Sequence, residues 1–291
     1  RALKRAAAEK GGDLWFKNLT IAPATNKRVG VVGSGPGGLS AAYYLATLGH
    51  KVTVLEALAQ TGGMLRVGIP GYRLPREALD QEVDYLKEVG VEIKTGQRVA
   101  SVDQLQQDGF DAVFLACGAH RGAKLGIAGD GLPGVVDGIS FLRKVNLDEK
   151  VEIGKRVAVI GGGNTAVDAA RSSIRLGADN VDVIYRRTAA EMTAYEEEVG
   201  AAGFEGVSIE YLAAPLALAE KNGALELTLT RMELGKADAS GRPRPVAVEG
   251  SEYKKQYDNV IAAIGQVPVG TDSLGVGLAK DDFIQVDAAT L

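Results

Sequence analysis

The sequence predicts an α/β protein with two three-layer domains, because one pattern of elements occurs twice along its 291 residues. In this pattern a short apolar strand leads into a glycine-rich turn, a helix follows, and a second apolar strand comes after the helix. The first copy spans 28–56 and the second spans 156–187. The chain is long enough for about two domains at the usual ~150 residues each. Since strands and helices alternate, we expect parallel sheets with helices packed against them.

The first copy has glycine at the three positions that a dinucleotide-binding turn requires. Gly33 permits the tight turn, Gly35 lets the backbone approach a pyrophosphate, and Gly38 lets helix and strand pack closely. The start of the helix then offers free N–H groups and a partial positive charge to the phosphates. Glu56 follows roughly 20 residues later, where a carboxylate accepts hydrogen bonds from ribose hydroxyls. This context predicts a Rossmann-like site for FAD or NAD; a glycine-rich turn without a ligand is the alternative.

The second copy differs from the first at the end of its second strand. Its turn spans 161–166, where Ala166 replaces the third glycine in an accepted variant of the fingerprint. The second strand ends in Arg186 and Arg187, whereas the first copy ends in Glu56. A carboxylate suits a bare ribose diol and repels a 2′-phosphate, while arginine offers that phosphate planar, charge-assisted donors. The second copy therefore predicts an NADPH site, and a solvated surface pair is the alternative for the two arginines.

Composition and charge exclude several classes of function. The net charge of −4 gives no reason to expect a nucleic acid or an anionic membrane as partner. No apolar run reaches the ~18 residues of a membrane helix, so no membrane insertion is expected. The single cysteine, Cys117, rules out an internal disulfide and suits a reducing cytoplasm, which is the predicted location. The chain begins at Arg1 instead of Met, so we expect it to be part of a longer polypeptide.

Five motifs together carry a resemblance to a known family. They are GSGPGGLSAAYYLA, GGMLRVGIPGYRLP, VIGGGNTAVDAARSSIRLGA, YRRTAAEMTAYEEE and AAIGQVP. In their order and spacing they resemble the two-dinucleotide-binding flavoprotein superfamily, which includes the pyridine-nucleotide disulfide oxidoreductases. Within it they look like the glutamate synthase small-subunit branch, together with the flavin regions of dihydropyrimidine dehydrogenase and of the NADH-dependent ferredoxin:NADP oxidoreductase large subunit. The resemblance spans nearly the whole chain.

The resemblance implies a set of cofactors and of residues that bind them. FAD would occupy the first site and NADPH the second, while NADH stays open as a further donor. The flavin would pass electrons on to iron–sulfur clusters. The implied cofactor-binding residues are Gly33, Ser34, Gly35, Pro36, Gly38, Glu56, Gly63, Leu65, Arg73, Val99, Gly118, Gly161, Gly163, Asn164, Thr165, Arg186, Arg187, Ala263 and Gly265.

The domain organisation follows from the same resemblance. The NADP domain would be inserted in a discontinuous FAD domain. Two features differ from the family pattern: the chain stops before the family's G-D motif, and it has one cysteine where members carry a cysteine-rich N-terminal domain. The expected segments are an N-terminal helix and linker at 1–26 as the tail of a missing iron–sulfur domain, the first part of the FAD domain at 27–125, the NAD(P) domain at 126–265, and a truncated return to the FAD domain at 266–291.

No side chain is predicted to be catalytic, because hydride transfer between nicotinamide and flavin is the chemistry of the cofactors. Cys117 alone cannot form a redox pair, so we interpret it as a packing residue. His50 and His120 have no neighbouring ligand at metal spacing, and no metal site is predicted. Leu225–Leu229 alternates as a strand, and 237–245 is interpreted as a loop or hairpin tip.

The expected function is an NADPH-oxidising flavoprotein module that supplies iron–sulfur clusters on a missing segment, on an iron–sulfur electron-transfer protein or on a large subunit. Glutamate synthesis is one use of such a module. Electron-bifurcating transfer between NAD(P)H and ferredoxin has the same motifs, and it stays open. A degenerate module that holds nucleotides without passing a hydride is the alternative from another class. A flavin monooxygenase or amine oxidase is disfavoured by the complete second fingerprint.

Overall fold

The computed structural model describes residues 2–237 and 241–289. Packing divides the chain into two compact units, the second inserted in a discontinuous first, in agreement with the predicted fold class. Val67–Arg73 belongs to the second unit although the residues on either side of it belong to the first, which the sequence did not predict. The first unit is Arg1–Arg66, Leu74–Gly118 and Gly270–Leu291, and the second is Val67–Arg73 and Ala119–Val269.

The first unit is built on a parallel four-stranded sheet. Its strands are β1 (Arg28–Val32), β2 (Lys51–Leu55), β3 (Glu92–Lys94) and β4 (Ala112–Leu115). They lie in the order β3-β2-β1-β4. The helices that begin in this unit are α1 (Ala2–Gly11), α2 (Leu14–Lys17), α3 (Pro36–Thr47), α4 (Met64–Val67), α5 (Arg76–Glu88) and α6 (Val102–Gln107), with 3₁₀ turns at Asp272–Leu274 and Lys280–Asp282.

Both faces of this sheet are covered, because successive side chains of a strand point to opposite faces. Val31 of β1 packs with Leu39 of α3 and Val83 of α5 on one face. Val32, the next residue, packs with Leu105 of α6 on the other face. The first unit is therefore a three-layer arrangement, and the turn that follows β1 lies at the carboxyl end of the parallel strands, where α/β sheets bind ligands.

The second unit contains a parallel five-stranded sheet, an antiparallel four-stranded sheet and an antiparallel pair formed by its first and last strands. Its strands are β5 (Arg121–Gly122), β6 (Val135–Asp137), β7 (Arg156–Ile160), β8 (Asn180–Tyr185), β9 (Val207–Tyr211), β10 (Ala213–Lys221), β11 (Ala224–Ala237), β12 (Pro243–Ala247), β13 (Tyr253–Tyr257), β14 (Asn259–Ala262) and β15 (Gln266–Val267). Its helices are α7 (Gly138–Asn146), α8 (Asn164–Arg175) and α9 (Glu196–Phe204), with a 3₁₀ turn at Ala189–Glu191.

The five parallel strands lie in the order β6-β14-β7-β8-β9. Val157 and Val159 of β7 pack against Val167 and other residues of the helices. Ala158 and Ile160, which point the other way, pack against Leu227 and other residues of the antiparallel sheet. In that sheet β11 pairs with β10, β12 and β13. The third layer of the second unit is thus a sheet, and it places the β11–β12 hairpin beside the end of β8.

Candidate functional site

The first glycine turn has a conformation that only glycine fits at two of its positions. Gly33 has φ of +103°, and a Cβ there would lie 2.4 Å from the carbonyl oxygen of Ala116. A Cβ at Gly38 would lie 1.9 Å from the carbonyl oxygen of Gly33. No described atom lies within 4 Å of a Cβ built at Gly35. The first and third glycines therefore close the turn, and the second leaves its backbone open to a ligand.

Ser34 connects this turn to the end of the second strand. Its amide and its hydroxyl donate to Oε2 of Glu56 at 2.9 and 2.5 Å, and its hydroxyl accepts from the amide of Gly62 at 3.0 Å. The amide of Leu58 donates to Oε1 of Glu56 at 2.7 Å. Ser34 and Glu56 are both buried. These bonds fix the carboxylate, and because a carboxylate has about four lone-pair sites, Oε1 keeps capacity for a ribose hydroxyl.

A second glycine segment lies directly against the first turn. Gly62 and Gly63 have φ of +112° and +50°. A Cβ at Gly63 would lie 2.8 Å from Cα of Gly35, and the amide of Gly62 donates to the carbonyl oxygen of Ser34 at 3.1 Å. The structure thus brings Gly63 and the predicted turn together, with the open backbone of Gly35 between Gly63 and the start of α3.

Other predicted residues of the first unit lie around the same sheet. Val99 is partly buried against the cluster that contains Val32. Gly118 follows β4 with φ of +67°, and Leu65 lines an apolar cavity of about 610 Å³. Their contacts with a cofactor stay predictions. Cys117 packs in the same cluster as Val99, and burial raises the pKa of its thiol, as is usual for a packing cysteine.

Arg73 lies in the second unit, where two carboxylates hold its guanidinium. Nη1 donates to Oδ2 of Asp168 at 2.6 Å, and Nε lies 3.1 Å from Oε1 of Glu198. The ring of Tyr72 packs under the guanidinium of Arg171, with Cζ 4.5 Å from the ring centre. Burial raises the pKa of Asp168 to about 6. Arg73 therefore anchors its segment to α8 and α9, and its predicted place near FAD is untested.

The second glycine turn is closed in the same way as the first. Gly161 has φ of +148°, and a Cβ there would lie 2.3 Å from the carbonyl oxygen of Ala263. A Cβ at Gly162 would lie 2.3 Å from the ring of Tyr185. At Gly163 the nearest atom to such a Cβ is 3.6 Å away, so this backbone is the open one. The equivalent glycine in each turn thus faces free space.

A cavity of about 680 Å³ opens beside the second turn, and we call it the nucleotide cavity. It brings together most of the residues that the sequence assigned to NADPH. Asn164 is not among its lining residues, since its Oδ1 accepts the amide of Tyr195 at 3.0 Å. The predicted residues that line it are Gly161, Gly163, Thr165, Arg186, Arg187, Ala263 and Gly265.

The two arginines at the end of β8 have different environments. Arg186 is exposed, whereas Arg187 is 5% exposed. Nε of Arg187 donates to the carbonyl oxygen of Pro243 at 2.9 Å, which fixes the side chain against β12. The guanidinium of Arg187 is therefore held in place at the cavity wall, while Arg186 is solvated.

Sequence reasoning missed two residues of the second site and one set of contacts in the first. Ser34 was predicted to bind the cofactor, but its bonds to Glu56 were not foreseen. Tyr185 ends β8 over Gly162, and Arg242 lines the nucleotide cavity from the far side of the hairpin. The available signals were a polar residue between two glycines, an aromatic residue before the arginine pair, and a loop with two further arginines.

Both turns fit a dinucleotide on their own geometry. α3 and α8 begin after Gly35 and Gly163, and neither start receives a hydrogen bond from a capping side chain among the described residues. Amides at a helix N-terminus that no side chain caps are free to bind phosphate. With an open glycine at each start, the residues present suit one pyrophosphate per unit.

Over residues 2–237 and 241–289, no group of three or more His, Cys, Asp or Glu side chains is arranged to hold a metal ion. Within the same ranges, no helix has the length and apolar character needed to cross a membrane.

Comparisons with known proteins agree with this architecture. A family model described as pyridine nucleotide-disulphide oxidoreductase matches residues 27–290. The chain is 46% identical over 295 residues to the NADP(+)-dependent formate dehydrogenase subunit beta of Moorella thermoacetica, covering 99% of this chain and 41% of that protein. It is 36% identical over 270 residues to the NADPH glutamate synthase small chain of Azospirillum brasilense, covering 87% of this chain and 56% of that protein.

The chain thus spans about half the length of these two relatives. Among solved structures, FprA of Mycobacterium tuberculosis in complex with NADPH has a TM-score of 0.74 at 21% identity, over 87% of this chain and 73% of that chain. This likeness shows a common fold. The matches confirm the resemblance that the motifs indicated, and the chain belongs to the pyridine nucleotide-disulphide oxidoreductase family.

Proposed function

We propose that this chain is the FAD- and NADPH-binding module of an oxidoreductase that passes electrons from NADPH through FAD to iron–sulfur clusters of the same or a partner chain. The observation that carries the proposal is the contrast between the two turns. One is fixed to a buried carboxylate, Glu56, and the other opens on a cavity lined by Arg186 and Arg187. The first favours a nucleotide with a free ribose diol and the second favours a 2′-phosphate.

In the first unit, the backbone at Gly35 and the start of α3 would hold the pyrophosphate of FAD, and Glu56 would hold a ribose hydroxyl. Ser34 positions Glu56 by two hydrogen bonds to Oε2. Gly63 would limit the space beside the pyrophosphate, because its backbone is packed against that of Gly35. Each of these residues orients the cofactor, and none transfers a proton.

In the second unit, Gly163 and Thr165 would hold the pyrophosphate of NADPH at the start of α8. Arg186 and Arg187 would bind its 2′-phosphate. Ala263 and Gly265 line the same cavity, so we expect the nicotinamide half to pass beside them. Bound nicotinamide and flavin supply the hydride transfer, and the chain supplies position and charge.

An iron–sulfur cluster takes about four thiolates, and the sequence contains one cysteine. The clusters would therefore be ligated outside residues 1–291. The names of two relatives support a role as one subunit among several, since they are a formate dehydrogenase subunit and a glutamate synthase small chain. Formate oxidation, glutamate synthesis and electron bifurcation with ferredoxin are the candidate uses of the electrons.

The test uses the protein purified with its native neighbouring segments and subunits, under anaerobic conditions. We expect a yellow protein whose blue flavin absorption band is bleached by NADPH. A colourless protein that still binds NADPH would instead support a nucleotide-binding module without hydride transfer. Retention of the flavin band in the presence of NADPH would contradict the proposed electron path.

A further inference from the structure

The arginine pair at the end of β8 stands between two cavities. The nucleotide cavity lies on one side. On the other is a second cavity of about 680 Å³, lined by Arg186, Arg187, Lys236, Arg244 and three apolar residues of the hairpin. We call it the basic groove, because all the charged side chains that line it in the described part of the hairpin and strand are cations. Neither the glycine fingerprint nor the arginine pair accounts for the cations that the hairpin adds.

The hairpin is connected to the pair by a direct contact. The carbonyl oxygen of Pro243 accepts Nε of Arg187 at 2.9 Å. The residue before it, Arg242, lines the nucleotide cavity, and the residue after it, Arg244, lines the basic groove. The start of strand β12 thus fixes one arginine of the pair, and the residues on either side of Pro243 are two more cations.

The four cations that line the basic groove repel one another, so the groove favours an anion between them. The carboxylate of Glu191 interacts with one of them, Arg187. Thr188 donates to Glu191 from its hydroxyl and its amide and lowers the pKa of that carboxyl, and Arg187 lowers it further. Glu191 is not among the described residues that line the basic groove.

We propose that Lys236, Arg242 and Arg244 complete, with Arg186 and Arg187, the subsite for the 2′-phosphate of NADPH. The hairpin is then a second determinant of the preference for NADPH over NADH. This rests on the proposed function, since it assumes that the nucleotide cavity takes NADPH. The chemistry is that of a phosphate monoester dianion, whose three oxygens form charge-assisted hydrogen bonds with arginine and lysine.

The test compares two adenosine ligands that differ only in the 2′-phosphate. Binding of adenosine 2′,5′-bisphosphate and of AMP is measured by calorimetry on the complete protein. The variant is Arg242→Ala with Arg244→Ala. The matched control is Lys87→Ala with Lys150→Ala, which removes the same charge from two exposed sites that line neither cavity.

We expect the hairpin variant to bind adenosine 2′,5′-bisphosphate about tenfold or more weakly, with binding of AMP changed less than about twofold. The control should change neither. Unchanged AMP binding also shows that the cavity is intact in the variant. If the ratio of the two affinities is the same in the variant and the unaltered protein, the hairpin is not part of the subsite.

Failure of the hairpin proposal is separable from failure of the proposed function. If Arg186→Ala lowers the ratio and the hairpin variant does not, the NADPH site stands and the hairpin proposal falls. If the unaltered protein binds the two ligands equally, the assignment of the cavity to NADPH falls with it.

Discussion

The two glycine turns share one device for closing and differ in how they treat the end of the second strand. In each, the first glycine has positive φ and lies against a carbonyl oxygen that follows a neighbouring strand, that of Ala116 or Ala263. The next position is Ser34 in one and Gly162 in the other. Ser34 reaches the carboxylate of Glu56, and Gly162 leaves room for the ring of Tyr185.

This difference shows that the residue at the second position of each turn fits the side chain at the end of the second strand of the same unit. A hydroxyl there holds a carboxylate in place, which fixes an acid for a ribose diol. The absence of a side chain there admits an aromatic ring, and the arginines that follow then line an open cavity. The same backbone therefore presents two different nucleotide environments.

The largest expected effect comes from the third turn position, where the two units already differ. Gly38→Ala places a Cβ 1.9 Å from a carbonyl oxygen, whereas the second unit carries Ala166 at the equivalent position. Overpacking of this kind costs about 3 kcal/mol, so we expect lower unfolding stability and loss of flavin. The control is Gly37→Ala, because no described atom lies within 4 Å of its Cβ. Thermal melts and flavin content are measured for both variants. Equal melting temperature and flavin content in the two variants would contradict the close contact at Gly38.

The next effect concerns the arginine pair. Replacing Arg186 and Arg187 together by Ala removes the charged donors to the 2′-phosphate, each worth about 1.5–3 kcal/mol. We expect the Kd for NADPH to rise about 100-fold or more and that for NADH to change little. Fluorescence titration with both nucleotides checks this, with NADH as the internal control. Equal losses for NADPH and NADH would show that the pair does not read the phosphate.

A smaller effect is expected at the acid of the first unit. In Glu56→Gln, one of the two accepting carboxylate oxygens is replaced by an NH2 group, which donates. The three groups that donate to Glu56 are the amide and the hydroxyl of Ser34 and the amide of Leu58, and at least one of them then loses its acceptor. A buried donor without an acceptor costs about 2 kcal/mol, and flavin retention should fall with it. Glu88→Gln, at an exposed position on α5, is the control. Full flavin content in the Glu56 variant would mean that the carboxylate charge is dispensable.

The smallest expected effect concerns a position at which the helices that follow the two turns differ. Ser40 of α3 is exposed, while Asp168 stands at the equivalent place in α8 and is buried. Burial raises the pKa of Asp168 from 3.8 to about 6. A carboxyl with a raised folded-state pKa stabilises the fold most below its unfolded pKa, and this contribution is lost as pH rises through the folded pKa.

We therefore expect stability to fall by about 1 kcal/mol between about pH 5 and about pH 7 because of this group. Asp168→Asn should flatten the dependence, and Asp84→Asn, at an exposed position, should leave it. Denaturant unfolding across this interval measures the slope. If stability has the same dependence on pH in Asp168→Asn as in the unaltered protein, another group causes that dependence.

The sequence predicted both turns because glycine has to occupy positions such as Gly33 and Gly161, where φ is positive and a Cβ would collide. It also predicted the charge at each strand end, since strand length fixes where Glu56 and Arg186 fall. Leu225–Leu229 was predicted as a strand and lies within β11. Such features are local, and the spacing along the chain is enough to place them.

What the sequence did not reveal depends on contacts between distant segments. The bond from Arg73 to Asp168 joins residues 95 positions apart, and it accounts for the place of Val67–Arg73 in the second unit. The antiparallel layer has strands such as β13, whose sequence YKKQY has two adjacent lysines and no clear apolar alternation. The range 237–245, interpreted as a loop or hairpin tip, joins β11 to β12 beside Arg187, and residues 238–240 of it lie outside the described part.

The central claim is that the acid-ended turn and the arginine-ended turn hold different nucleotides. A crystal structure of the complete protein with FAD and NADP+ bound tests it most directly. We predict the flavin pyrophosphate over Gly35 at the start of α3, with a ribose hydroxyl on Glu56, and the 2′-phosphate of NADP+ beside Arg187. NADP+ over Gly35, or flavin in the nucleotide cavity, would contradict the account.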